Sequence, residues 1–184
     1  ISKAPIWCSV DLRDGNQALA VPMTIEQKVQ FFRLLVKIGF KEIEVGYPAA
    51  NDTEFAFVRR IIEENLIPEN VKIQVLSQAR ENLVIKTLES LKGARLAVFH
   101  LYNATSPAQR KFTFNKSKSE LIEMAIEGVK NVKKHLALVG DTQIQLEYSP
   151  EDFSSTESDF AVEICSAVFT EWQPTMKNPL IINL

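Results

Sequence analysis

The stretch APIWCSVDLRDGNQAL, residues 4–19, decides the fold of this chain. Its first half is typical of a short strand, because apolar, β-branched and aromatic residues run up to the polar residues that begin at Asp11. The turn that follows reads RDGNQAL, whereas an open dinucleotide-binding sheet usually has Gly-x-Gly-x-x-Gly at this point. The stretch therefore favours a closed barrel over an open doubly wound sheet.

Strand-like and helix-like segments alternate along the rest of the chain. The predicted strands are residues 4–12, 41–47, 71–78, 95–102, 142–149 and 179–184. Helical spacing of apolar residues predicts helices near 24–39, 52–64, 81–91, 119–140 and 156–168, with capping pairs Thr24–Gln27 and Thr156–Asp159. Strict alternation predicts a parallel sheet covered by helices. The number of residues per strand–helix unit is typical of an α/β fold, the (β/α)8 TIM barrel. We expect a partial barrel of about six strands and five helices.

Composition excludes several classes of protein. The chain has 184 residues, 46% hydrophobic and 24% charged, with a net charge of -2. Scattered Lys and Arg argue against a nucleic-acid or anionic-membrane surface, and no apolar run is long enough to predict a membrane span. Cys8 and Cys165 have neither disulfide-framework nor zinc spacing. We therefore expect a cytoplasmic protein without nucleic-acid or membrane partners.

Polar residues stand at the carboxyl ends of the predicted strands, where barrel enzymes carry their chemistry. Each has a structural alternative. A DxRDG turn is equally consistent with capping carboxylates paired to an arginine. Glu44 could pair with Arg13 as a structural contact, as a positioning contact or as both, and His100 could be a hydrogen-bonded core histidine. Glu147 is harder to explain structurally, because a carboxylate in an apolar strand needs a partner. The candidates are Asp11, Arg13, Asp14, Glu44, Gln78, His100, Tyr102 and Glu147.

These residue types suit chemistry on a keto acid. A hard divalent cation bound by Asp14 could take the oxygens of the substrate, while Arg13 neutralises developing negative charge. One carboxylate cannot hold a catalytic metal alone, and the chain has no His-x-His. The chain also starts at Ile1 without a Met and stops inside the apolar run PLIINL. We therefore expect a longer native protein that supplies the remaining ligands.

The sequence contains five blocks that are distinctive in combination: PIWCSVDLRDGNQAL, EIEVGYPAAN, VLSQARE, FHLYNATS and LEYSPEDFS. Together they resemble the 2-isopropylmalate synthase family, and the resemblance runs nearly end to end. RDG-x-Q alone would indicate only the wider group of metal-dependent barrel enzymes that make or break carbon–carbon bonds beside a carbonyl. Within this group, a homocitrate or citramalate synthase is the nearest alternative, and a non-catalytic barrel fragment is a more distant one.

The resemblance implies a reaction and a domain assignment. The reaction is a Claisen condensation of acetyl-CoA with 2-oxo-3-methylbutanoate followed by thioester hydrolysis, a step of leucine biosynthesis. Residues 1–184 would be the N-terminal portion of the catalytic barrel. The His-x-His ligands, a pocket Thr and a leucine-sensing domain would follow this sequence. The full-length enzyme is expected to be a homodimer.

The resemblance also implies roles for individual residues. Asp14 would bind a divalent metal, Zn, Mg or Mn. Arg13 would polarise the keto acid, with Glu44 orienting Arg13. Three residues would line the keto-acid pocket, with Glu147 facing the branched side chain, and two would lie nearer the acyl-CoA. The first three are Leu76, His100 and Glu147, and the other two are Gln17 and Tyr102.

Overall fold

A single parallel sheet organises the chain, whose computed structural model describes Ser2 and residues 4–184. Each strand pairs with the next one along the chain, in the order β1 to β6. This order is that of a partial β/α barrel and confirms the predicted fold class. The strands are β1 Cys8–Ser9, β2 Glu42–Gly46, β3 Lys72–Gln78, β4 Leu96–Ala104, β5 Gln143–Glu151 and β6 Ile181–Ile182. The helices are α1 Ile25–Ile38, α2 Asp52–Glu63, α3 Glu81–Leu91, α4 Lys118–His135 and α5 Ser158–Trp172.

The two outermost strands are shorter than the sequence predicts. The predicted strand 4–12 pairs only at Cys8–Ser9, because the backbone then folds over the carbonyl of Val10. That carbonyl accepts hydrogen bonds from the backbone N–H groups of Arg13, Asp14 and Gly15 at 3.2, 2.8 and 3.3 Å. The result is a π-helical turn over Asp11–Gly15, a type of turn that often occurs at functional sites.

Capping explains where α1 begins, but the capping prediction for α5 was wrong. Thr24 and Gln27 form the predicted capping box at the start of α1. Thr156 does not cap α5, because its hydroxyl donates to the carbonyl oxygen of Asp152 at 2.8 Å instead. The residue before α5 is Glu157, which makes no side-chain capping bond. The Thr156 hydroxyl also lies 2.8 Å from the Thr105 hydroxyl, so the Thr156 side chain is used in the loop before α5.

The sheet has an apolar outer face and a polar inner face. Residues that point outward from the strands join the hydrophobic core beneath the helices, and the outward set of the three central strands is Ile73, Val75, Ala97, Phe99, Leu101, Ile144, Leu146 and Tyr148. Residues between them in sequence point inward, because successive strand side chains alternate. The buried polar members of the inward set are Glu42, Glu44, Gln74, His100, Gln145 and Glu147. The helices therefore pack against the outer face of the sheet, whereas the inner face makes polar contacts.

Among the described residues, no helix combines the length and the apolar character needed to cross a membrane.

Candidate active site

The turn after β1 carries the first two site residues. Leu12 is fully buried and anchors the turn to the core, while Asp11 accepts a hydrogen bond from the Ser9 hydroxyl at 2.6 Å. This arrangement leaves the neighbouring Arg13 and Asp14 side chains at the carboxyl end of the sheet. The Arg13 guanidinium pairs with Asp14 Oδ1 at 2.9 Å. Asp11, which the sequence also predicted at this end of the sheet, instead stabilises the turn through its hydrogen bond with Ser9.

Glu44 is a fully buried carboxylate that receives three hydrogen bonds. Arg13 Nε donates to Glu44 Oε1, and Gln74 Nε2 donates to Oε2 at 2.6 Å. The third bond joins Glu44 Oε2 to His100 Nδ1 at 2.7 Å. A buried carboxylate needs such donors to offset the loss of its hydration. Glu44 therefore fixes the direction of Arg13 from below.

Two opposing effects set the pKa of Glu44. Burial by itself would raise the pKa, but the hydrogen bond and charge of His100, the charge of Arg13 and the Gln74 hydrogen bond outweigh burial. The pKa of Glu44 is therefore lower than usual, and the carboxylate is ionised at neutral pH.

Glu147 lies beside this cluster with fewer donors. Gln74 Nε2 donates to Glu147 Oε1 at 3.2 Å, and His100 Nδ1 lies 3.5 Å from the same oxygen. Burial raises the pKa of Glu147, and His100 only partly opposes this effect, while the charge of Glu44 adds to it. Glu44 and Glu147 thus have pKa values shifted in opposite directions.

His100 joins the buried cluster to the open end of the sheet. Its Nδ1 faces the Glu44 carboxylate, which can only accept when ionised, so Nδ1 carries a proton. Its Nε2 lies 2.7 Å from the Ser149 hydroxyl, which can donate or accept. Both ring nitrogens are satisfied, and the ring is held between β2 and β5.

A cavity of about 390 Å³ opens above this cluster at the carboxyl ends of the strands. Most of the predicted site residues line it: Arg13, Asp14, Gln17, Leu76, His100 and Tyr102. Glu44 does not line the cavity but contacts Arg13, which does. Glu147 and Gln78 are not among its lining residues in the described part of the chain. The Glu147 carboxylate contacts Gln74 and His100 instead. Its role toward the branched side chain of a keto acid stays a prediction.

Tyr47 lines the cavity beside Tyr102 and is held by a buried ion pair. Its backbone N–H donates to Glu54 Oε2 at 3.3 Å, and Lys28 Nζ contacts Glu54 Oε1 at 2.5 Å. Lys28 is fully buried, with Nζ 4.8 Å from the centroid of the Phe57 ring. A side chain at Gly46 would collide with the Glu54 carboxylate, so the glycine permits this close approach. Residues of α1 and α2 therefore hold Tyr47 in place at the cavity.

Burial raises the pKa of Tyr102 to about 12, with further contributions from Tyr47 and Glu151. Burial also raises the pKa of Tyr47. Both phenols are therefore neutral near pH 7 and can donate hydrogen bonds to a ligand in the cavity.

A sequence model of the HMGL-like family matches residues 4–184. The chain belongs to the HMGL-like family. Curated relatives named 2-isopropylmalate synthase match it over its whole length, with 56% identity for the protein of Helicobacter hepaticus and 54% for that of Clostridium acetobutylicum. The chain spans only 33% of the length of each of these relatives.

Two solved structures of HMG-CoA lyases share the fold. The HMG-CoA lyase of Bacillus subtilis superimposes with a TM-score of 0.64 at 18% identity, covering 90% of this chain and 55% of the lyase. An HMG-CoA lyase of Acinetobacter baumannii, solved with coenzyme A and 3-methylmalate, gives a TM-score of 0.60 at 15% identity, covering 89% of this chain and 52% of the lyase. At these identities the likeness supports the barrel fold alone.

Asp14 does not form a metal site with the other described residues. Its side chain is 66% exposed at the cavity, so its outer oxygen is accessible. The described part of the chain contains no cluster of three or more His, Cys, Asp or Glu side chains placed to hold a metal ion. A protein site for a catalytic metal usually has about three ligands. Asp14 can therefore supply one ligand, and the donor set shown here does not fit a complete site.

Sequence reasoning missed Gln74, Tyr47 and Ser149, and it also missed six further lining residues of the cavity, which are Pro150, Glu151, Asp152, Phe153, Asn183 and Leu184. Gln74, Tyr47 and Ser149 contact or line the cluster, yet none belongs to a charged motif. Strand alternation could have found two of them, because Gln74 shares the inward face with Leu76, and Ser149 shares it with Glu147. Tyr47 follows the end of β2, and no period in the sequence indicates its direction.

Proposed function

We propose that this chain forms part of the active site of a 2-isopropylmalate synthase. The reaction would join the methyl carbon of acetyl-CoA to the keto carbon of 2-oxo-3-methylbutanoate and then hydrolyse the thioester to release CoA. Curated relatives with this name support the proposal at 50% to 56% identity. A role in leucine biosynthesis follows from the same names. A cytoplasmic location and a homodimeric full-length enzyme stay predictions.

The observation that carries the proposal is the buried Glu44 beneath Arg13. During condensation the carbonyl oxygen of the keto acid gains negative charge as the new carbon–carbon bond forms. A guanidinium that is already held in one direction can stabilise that charge without reorganising. Glu44 holds Arg13 at Nε and leaves the rest of the guanidinium at the cavity, where Asp14 takes one nitrogen. This geometry suits an enzyme whose substrate develops an oxyanion.

The remaining lining residues divide by their chemistry. Leu76 and His100 lie side by side in the register of β3 and β4, and we assign them to the keto acid. Gln17 and Tyr102 supply polar groups toward the acyl-CoA. Asp14 is proposed as one ligand of a divalent metal, Zn, Mg or Mn. Because the described residues do not complete a metal site, no step of this proposal depends on the metal.

The test is a chimera in which these 184 residues replace the equivalent segment of the Helicobacter hepaticus relative. CoA release would be measured from acetyl-CoA with 2-oxo-3-methylbutanoate, pyruvate or 2-oxoglutarate, and the unmodified relative is the control. We expect release to be fastest with 2-oxo-3-methylbutanoate. Preference for another acid would instead identify a sibling condensing enzyme, and a folded chimera without release would support a non-catalytic fragment.

Two substitutions in the chimera test the assigned roles. Arg13→Lys keeps the charge but loses the planar fork that meets Glu44 and Asp14, so kcat should fall about 100-fold. Asp14→Asn should reduce activity and weaken its dependence on added metal. Asp11→Asn, in the same turn but outside the cavity, is the matched control and should keep most of the activity. Equal losses in all three would indicate a general disturbance of the turn.

A further inference from the structure

Gln74 is the most highly connected neutral side chain of the buried cluster, and neither the motifs nor the family resemblance assigns it a role. It lies on β3 facing inward and is 3% exposed. Its Nε2 lies 2.6 Å from Glu44 Oε2 and 3.2 Å from Glu147 Oε1. The same nitrogen is 3.3 Å from His100 Nδ1. Gln74 does not line the cavity, so any effect on a substrate must pass through its neighbours.

The surroundings fix which way the amide of Gln74 points. Two carboxylate oxygens face one end of the amide, and an ionised carboxylate can only accept hydrogen bonds. An amide oxygen placed there would meet two other acceptors, whereas the NH₂ group has one hydrogen for each carboxylate. At the other end, the Cys8 thiol lies 3.9 Å from Gln74 Oε1 and donates to it. Burial and nearby Glu44 raise the pKa of Cys8 to about 12, so the thiol keeps its proton.

The bridge changes the electrostatics between the two carboxylates. Glu44 and Glu147 both contact the same amide nitrogen, so their charges repel each other across a small, buried space. The partial positive charge of the NH₂ group lies between them and reduces this repulsion. Glu44 can then keep one oxygen on Arg13 and the other on His100.

We propose that Gln74 is a positioning residue, whose side-chain amide bridges Glu44 and Glu147 and thereby keeps Glu44 directed at Arg13 and His100. The catalytic consequence rests on the proposed function, because it assumes that Arg13 stabilises charge on a substrate. The bridge itself is a statement about the folded chain and can be tested without any activity.

The first experiment uses the two histidines of the chain, His100 and His135. With ¹⁵N-labelled histidine, the ring nitrogens of both residues can be followed by NMR at pH 7 in Gln74→Met, which keeps the shape of the side chain and removes both donors. We expect the His100 signals to move, because Glu44 shifts when its bridge is lost. His135 contacts Glu81 at the end of α4 and serves as the internal reference.

Gln145→Met is the matched control. Gln145 is also a buried, inward-facing glutamine, but its amide donates to the Pro179 carbonyl at 3.1 Å and its oxygen accepts from Lys72. Its substitution should leave the His100 signals in place. Unchanged His100 signals in a folded Gln74→Met chain would overturn the bridge, and so would equal movement in both variants.

The second experiment is a double-mutant cycle on kcat in the chimera. Gln74→Met should lower kcat about 10-fold to 100-fold, because the side chains that orient a catalytic group control its geometry. The Michaelis constant for the keto acid should change little, since Gln74 does not contact it. In a Glu147→Gln background the loss should be much smaller, because one of the two repelling charges is gone. Gln145→Met should act equally in both backgrounds.

The outcomes separate the two hypotheses. Equal losses for Gln74→Met with and without the Glu147 carboxylate would overturn the bridging role. A chimera that releases no CoA in any form, while the His100 signals respond as expected, would reject the proposed function and keep the bridge.

Discussion

The two faces of the sheet differ in what they bury, although neighbouring residues of the same strands form them. On β4, Phe99 points outward into the apolar core, whereas His100 points inward to Glu44. The outer face gains stability from the removal of apolar surface from water. The inner face buries carboxylates and must supply donors for each of them. Adjacent residues of one strand therefore serve different purposes, since one stabilises the core and the next contributes to the candidate active site.

The largest expected effect is on the outer face. Phe99→Ala removes a fully buried ring from the core and should lower the free energy of unfolding by about 4 kcal/mol. Urea denaturation followed by circular dichroism would measure it. Val98→Ala, on the same strand and pointing inward, is the control and should cost less than half as much. Equal losses would contradict the division between the two faces.

A buried charge outside the sheet gives the next largest effect. Lys28→Met leaves the Glu54 carboxylate without its cation and should cost about 3 kcal/mol, measured in the same denaturation experiment. The double variant Lys28→Met with Glu54→Gln should recover most of this loss, because no charge is then left unpaired. A single variant as stable as the original chain would show that water replaces the lysine.

On the inner face, one substitution should increase stability. Burial raises the pKa of Glu147 above 4.5, so its ionised form is disfavoured in the folded state. Above the folded pKa the native state carries this cost, and below the unfolded pKa the cost is absent. Glu147→Gln should therefore stabilise the chain at pH 7 and lose this advantage toward pH 4.

Glu44→Gln is the control, because its change in stability should have the opposite sign. The stability of both variants is measured as the midpoint of urea denaturation. The pKa of Glu44 is lowered, because His100 and Arg13 outweigh burial, so its charge contributes stability above pH 4.5. Its loss should destabilise the chain at pH 7. If both substitutions changed stability in the same direction, the assignment of opposite pKa shifts would be wrong.

The smallest effect is expected at a partly exposed ion pair outside the sheet, between Arg110 and Glu157. The Arg110 hydrogen bonds lower the pKa of Glu157 from 4.5 to about 2. Stability from this pair is present above pH 4.5 and is lost as the pH falls through about 2. Glu157→Gln should lower the urea midpoint slightly at pH 6, with a smaller difference at pH 3. A difference that grows on acidification would contradict this.

Strand alternation and helix periodicity were enough to predict the order of elements, because both depend on which residues must leave water. The capping box at Thr24 was predictable for a different reason, because its partner Gln27 lies only three residues away. The ends of β1 and β6 were not predictable. Strand pairing ends after Ser9, because the Val10 carbonyl accepts hydrogen bonds from three backbone N–H groups of the following turn. No residue pattern in the sequence indicates this turn.

The sequence by itself determined the barrel order and the set of polar residues at the carboxyl ends of the strands, because local spacing decides which side chains share a face. It could not determine which of them meet. Arg13 lies in the turn after β1, whereas Glu44 and His100 lie on β2 and β4. Only the curvature and register of the sheet bring these residues within hydrogen-bonding distance of one another and of Gln74 on β3, which sequence reasoning missed. The tertiary structure likewise decided the contact between Gln74 and Glu147, because these residues are 73 positions apart in the sequence.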